Sequence, residues 1–270
     1  MTILAVPSGW RTGAITAVTE WHSPSRMTAA GLRLAVHLFL VVCLWHALYA
    51  GTTVSAGLTE AQAVTYAVLA VLIVRPRAND RYSARDTVIQ HINFGTIVYW
   101  FLRPLPARRY YFFRAAGDQL YGLAWALAGY LVCLAAGVLD PPPSAGAALA
   151  FAATFALGQA VTYYLLLLTD QLCFWTIKNS SAVDIMMFTQ NLLSGAYAAL
   201  WFFPGWFQAL SAALPFQATI NVPLSFYVGR LPVSELPGQL ALQGFWVLLL
   251  AVLTRFLWTR AAGRVVAQGG

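Results

Sequence analysis

The chain has 270 residues, 60% of them hydrophobic and only 9% charged, with a formal net charge of +7. A soluble domain carries about 25% charged residues, so this chain cannot cover a water-facing surface and most of its exterior must face lipid. The positive charge lies in connections flanking apolar stretches rather than in a polar domain, which excludes a nucleic-acid-binding module.

Residues 1–25 hold no long apolar core of a cleavable signal peptide. Trp10, Ile15, Val18 and Trp21 are spaced as on a helix lying in the membrane surface. A crossing helix needs about 20 apolar residues, and six stretches are predicted to span: 29–50, 58–74, 115–137, 146–168, 182–203 and 240–257. The basic residues then sort by side. With the N-terminus inside, the cytoplasmic side holds Arg11, Arg26 and Arg33. It also holds Arg75, Arg77, Arg81, Arg85, Arg103, Arg108, Arg109 and Arg114, then Lys178, then Arg255, Arg260 and Arg264. The opposite side holds Arg230 alone. By the positive-inside rule both termini are cytoplasmic.

The connection 75–114 has its own organisation. Ser83 and Asp86 are spaced as a capping pair for a helix over 84–101, which Pro104 and Pro106 end. Its periodicity suits an element that docks a soluble partner below the membrane; a helix that only seals the bundle floor is the other reading. In the fourth span Ala148, Ala152, Ala156 and Ala160 recur every fourth residue, a spacing that lets two helices approach closely. The fifth span carries a polar cluster, Thr189, Gln190, Asn191 and Ser194. Such groups line a translocation path or make interhelical hydrogen bonds, and one surface can do both. Pro204, Pro215, Pro223, Pro232 and Pro237 then cut an apolar, aromatic stretch into pieces too short to cross. Two short helices, over 205–214 and 216–228, are expected there, sheltered by other spans because backbone in lipid must satisfy its own hydrogen bonds. Trp201, Trp206 and Tyr227 suit interfacial depth.

Catalytic patterns are missing from the sequence. Without a G-x-x-x-x-G-K-[ST] motif the chain cannot cradle ATP, and any ATP-driven role needs the ATPase on another chain. Ser194 precedes Gly195, but the last histidine is His91, so a serine nucleophile would lack its base. His37 and His46 lie toward opposite ends of one span, and no ligand cluster for a metal is visible. Cys43, Cys133 and Cys173 form no C-x-x-C pair and read as small buried hydrophobes. No acidic residue falls at mid-span, which argues against an ion-coupled carrier.

Two stretches, HINFGTIVYWFLRPLPARRYYFFRAAGDQL (91–120) and NLLSGAYAALWFFPGWFQALSAALPFQATINVPLSFYVGR (191–230), together with the VVAQGG near the chain end, carry a resemblance. With six spans and a broken outer segment, the chain resembles permease subunits of type 2 ABC exporters, closest to the small six-span bacterial kind. The resemblance implies an all-α membrane protein. It has an N-terminal elbow segment (1–28) and a single permease domain (29–270), with a cytoplasmic coupling helix and two short outer re-entrant helices before the last span. It implies coupling to the ATPase through Arg85, Asp86, Ile89, Gln90, His91, Asn93, Gly95, Arg103 and Pro104. It places Thr189, Gln190, Asn191 and Ser194 at the path or permease interface, with the second and fifth spans facing a partner. Trp206, Pro215, Phe216 and Asn221 would belong to an outer gate. The implied partners are two ABC ATPase copies, a second permease of the same or another chain, and membrane lipid. The chain itself would bind no cofactor, ATP and Mg residing on the ATPase, and would be no enzyme. A non-transport scaffold docking a partner through 75–114 is the competing reading.

Overall fold

The computed structural model describes residues 10–11, 24–51, 54–77, 106–172 and 180–265. The expected docking helix, with every coupling residue from Arg85 to Pro104, lies outside the described residues, as does most of the N-terminal segment. Among the described residues the fold is helical apart from one hairpin of two-residue strands.

Helix α1 (Pro24–Tyr49) begins a turn earlier than predicted. Pro24 opens it, where a missing N–H costs nothing because first-turn donors are unpaired anyway. Leu32, Val36, Phe39, Leu40, Leu44 and Leu48 form an outward apolar face, while Leu34, Trp45 and Tyr49 turn inward. Strands β1 (Val54–Ser55) and β2 (Leu58–Thr59) lead into α2 (Glu60–Arg77). Thr59 and Gln62 start α2 with a reciprocal capping box: Thr59 N donates to Gln62 Oε1 (3.1 Å) and Gln62 N to Thr59 Oγ1 (3.3 Å). There follow α3 (Ala107–Ala135), α4 (Ala145–Leu172) and α5 (Ser180–Ser194). A 3-10 turn (Leu200–Phe202), α6 (Gly205–Ala212), a second 3-10 turn (Gln217–Thr219), α7 (Asn221–Tyr227) and a third (Val233–Glu235) precede α8 (Leu236–Val265).

Four helices among the described residues are long and apolar enough to cross a membrane, within α1, α3, α4 and α8. The second and fifth predicted spans differ. Helix α2 has 18 residues, the last few being Arg75, Pro76 and Arg77, and every residue from Ala63 to Ile73 is buried. It is the central element, sheathed by α1, α3 and α7. No face of that stretch is left open to a partner, contrary to the expectation for the second span. Helix α5 stops at Ser194 rather than continuing to Phe203, because Gly195 turns left-handed (φ 80°). Its 15 residues reach only about 22 Å.

Lipid tails are as apolar as leucine, so burial here gains little from the hydrophobic effect; close packing and interhelical hydrogen bonds hold the helices. Helix α4 shows both. Its buried face is Ala147, Ala150, Thr154, Gly158, Val161, Thr162 and Leu165. The alanine stripe is not that face: Ala152 and Ala156 are exposed and Ala148 and Ala160 half-buried. The close approach occurs at Gly158, where a Cβ would stand 2.9 Å from the Ala218 carbonyl oxygen. Helices α4 and α8 are stitched by two amides. Gln171 Nε2 donates to Thr254 O (3.0 Å), and Gln243 Nε2 to Thr154 O (3.0 Å) and Ala218 O (2.7 Å). Of the cysteines, Cys133 is buried as expected but Cys43 is exposed on α1.

The bundle has two unlike ends. At one, Tyr111, Leu167 and Trp258 pack together, and the Tyr111 hydroxyl donates to Asp170 Oδ2 (2.6 Å). Arg108, Arg109, Arg114, Arg255 and Arg260 lie near this end by their helix positions, as do Arg33 and Arg75. The other end gathers the hairpin, the 136–145 connection and the broken segment 195–235. Gln62 Nε2 donates to Val228 O (3.1 Å), Asp140 N to Thr65 Oγ1 (3.2 Å) and the Tyr227 hydroxyl to Asp140 O (3.2 Å). Arg230 is the arginine at this end among the described residues.

Candidate functional site

Helix α5 presents the predicted polar cluster at its C-terminal end. Gln190 is 5% exposed and its Nε2 meets no acceptor among the described residues. Ser194 is fully buried and its hydroxyl donates to Asn191 O (3.2 Å), which also accepts from Ala196 N (3.0 Å). Thr189 and Asn191 are half-buried. Gln190 lies between Met186 and Leu193 on the helix face that packs against Val161 and Leu165 of α4 and Leu250 of α8. Outward from this face, Ile185 and Phe188 are exposed, at 67% and 57%.

The residues expected at the gate divide. Pro215, Phe216 and Asn221 are buried. Phe216 joins Leu193, Val161 and Phe207 in one apolar cluster, which links this segment to the α5 face. Trp206 does not join them: it is 69% exposed on α6 and touches Phe207 ring to ring at 5.6 Å. Helix α7 is buried along all seven residues. In a proline-cut segment this is the arrangement that lets short backbone pieces live at depth, since protein rather than lipid surrounds them.

One residue that sequence reasoning missed ties the two sets together. Tyr66 of α2 is 1% exposed, and its hydroxyl stands 3.1 Å from both the Gly195 carbonyl and Asn221 Oδ1. The end of α5 and the start of α7 therefore meet on one phenol. Trp201 packs edge-on against the same ring at 5.5 Å. The available signal was a lone tyrosine in an aliphatic span: a phenol buried in lipid needs a polar partner. Gln243 and Gln171 carried the same signal. The Thr59 and Gln62 capping box was also legible as T-x-x-Q.

The arrangement is a packed set of neutral polar groups between helices α2, α5 and α7. Among the described residues no three His, Cys, Asp or Glu side chains group as metal ligands would. The polar groups at this junction are amides, hydroxyls and a phenol, which hydrogen-bond without titrating at neutral pH.

A family model described as ABC-2 family transporter protein matches residues 35–269. The chain belongs to this family. It is a membrane-spanning permease subunit of the type 2 ABC class, a transport component whose family works with an ABC ATPase. No curated protein and no solved structure matches the chain. For an ABC-2 permease, the matched range takes in α2 through α8 with the segment beyond Arg77. The Tyr66 junction, the α5 polar face and the broken segment thus all lie inside the family-defining part.

Proposed function

We propose that this permease forms the membrane half of an ATP-driven exporter of a hydrophobic or amphiphilic compound, acting by alternating access. Six segments cross a bacterial plasma membrane, with α2 inside the bundle and α5 at its edge. Residues 1–28 form the elbow segment and 29–270 one permease domain. Both termini and the 75–114 connection lie in the cytoplasm, and the hairpin end faces outward. The observation that carries this reading is the contrast between the two ends. Basic residues collect at one, as an inner surface requires, while an apolar broken segment closes the other.

In this reading two copies of an ATPase subunit dock on Arg85–Pro104 and hydrolyse ATP with Mg on their own chains. A second permease, of the same or another sequence, completes the pathway against the exposed side of α5. Gln190, Asn191, Thr189 and Ser194 line or border it. Trp206, Pro215, Phe216 and Asn221 act with the short α6 and α7 as re-entrant elements of the outer gate. Nucleotide-driven motion of the docking helix reaches this end through α2, which leads from the Tyr66 junction into the arginine-rich connection. Such coupling requires that α2 and its surroundings have two arrangements that nucleotide biases.

Co-purification with the chain's genomic neighbours tests the assignment. An ATPase subunit should accompany the wild-type permease, and charge-reversing substitutions of Arg85 and Arg103 should reduce its recovery at least tenfold while leaving membrane insertion intact. Purification alone, with every neighbour expressed and folded, would sink the exporter reading. Gln190→Ala is expected to change transport several-fold at unchanged expression and melting temperature. A variant with altered melting and normal transport would return Gln190 to a packing role.

A further inference from the structure

The hairpin between α1 and α2 is held in a way that its own sequence does not require. Its turn places Ala56 at φ 51° and Gly57 at φ 76°. Glycine takes such a conformation freely, but alanine does so at a cost, and it persists only where the surroundings over-determine it. The surroundings include Arg230. Its Nη1 donates to the Gly57 carbonyl (3.2 Å), and a Cβ on Gly57 would fall 2.5 Å from the same nitrogen. The guanidinium also lies over the Trp201 ring, 5.6 Å from its centroid, a cation–π geometry.

The backbone that carries Arg230 is itself held in place. Gly229 (φ 73°) ends α7 in a Schellman motif, with Arg230 N donating to Ser225 O (2.8 Å) and Gly229 N to Phe226 O (3.2 Å). The exposed Arg230 guanidinium therefore bridges a strained hairpin on one side and Trp201 on the other. Trp201 rests on Tyr66, whose hydroxyl meets Gly195 and Asn221. The contacts run without a break from the exposed hairpin to the buried junction of α5 and α7. Beneath the hairpin, Leu58 is fully buried in the same cluster as Ala199.

We propose that Arg230 is a latch: it holds the hairpin and the Leu200–Phe202 turn closed over the Tyr66 junction, and its release opens that end of the bundle. This deepens the transport reading and rests on it for the meaning of the opening. The latch itself is measured without transport. Ala199 is 1% exposed, so Ala199→Cys, in a chain whose Cys43, Cys133 and Cys173 are replaced by alanine, reports access to the junction. Ala150→Cys, fully buried on α4, reports general loosening.

The experiment is the labelling rate of each cysteine by a membrane-impermeant maleimide in vesicles. With Arg230 present both should react slowly. Arg230→Ala should speed labelling at position 199 at least tenfold and leave position 150 unchanged. Arg230→Lys, which retains the charge but not the planar stacking on Trp201, should fall between. An unchanged rate at position 199, or an equal rise at both positions, would overturn the latch. If Arg230→Ala does not accumulate in the membrane, Arg230→Lys and Trp201→Leu decide by the same two rates. Faster labelling with no ATP-driven transport by the wild-type assembly would instead leave the latch standing and remove the exporter reading.

Discussion

Gly158→Leu is expected to push the 217–219 turn off α4 and to destabilise the permease by about 3 kcal/mol or more. Residue 158 faces backbone, not flexible side chain: Ala218 O at 2.9 Å, and Thr219 Cα and O at 3.3 Å, from the position of an added Cβ. A leucine there must displace the turn. Moving Ala218 also breaks its 2.7 Å bond from Gln243. That loss is costly at this depth because no water replaces the donor. Gly158→Ala should destabilise less than leucine but still measurably, because its Cβ alone would stand 2.9 Å from the Ala218 carbonyl oxygen and the turn must shift to admit it. The gain of about 1 kcal/mol from removing a glycine within a helix offsets only part of that cost. Thermal melting of the detergent-solubilised chain reads the series. A leucine variant that melts with the wild type would show that the turn is not seated on α4.

Gln243→Leu is expected to cost about 1–3 kcal/mol and Gln171→Leu clearly less, on the order of 0.6 kcal/mol. Both glutamines are fully buried and similar in size to leucine. The difference lies in what they bond. Among the described residues Gln171 donates to Thr254 O alone, within a continuous helix where the carbonyl has its own helical partner. Gln243 donates in addition to Ala218 O, in a three-residue 3-10 turn where backbone partners are scarce. Each Oε1 lacks a partner among the described residues, so replacement by leucine removes a similar unpaired group from both sites. Equal destabilisation by the two substitutions would contradict the special role of the Ala218 carbonyl.

The polar junction is where sequence patterning ran short. Thr189, Gln190, Asn191 and Ser194 stood out because four polar residues interrupt an apolar run, and the structure places Gln190 and Ser194 in the interior. Their link to Asn221, however, passes through Tyr66, 129 residues before Gly195 and 155 before Asn221. No local spacing encodes such a pairing. Trp206 shows the converse: its aromatic character beside a proline cut says nothing of direction, and only the fold turns its face of α6 outward. The eight residues of α6 are too few for periodicity to fix a direction.

By itself the sequence determined that this is a helical membrane protein, where its long helices run, which connections are basic, and where prolines forbid a crossing. These follow from transfer free energy, charge and backbone chemistry, all of which act residue by residue. Only the tertiary structure decided that α2 is the sheathed centre, since an aliphatic helix looks alike whether lipid or protein surrounds it. It also decided that α5 ends at Gly195, where a turn is fixed beside Tyr66. The choice of the Gly158 face of α4 over its alanine stripe belongs there too, because which small residues meet a neighbour depends on where that neighbour's carbonyls lie.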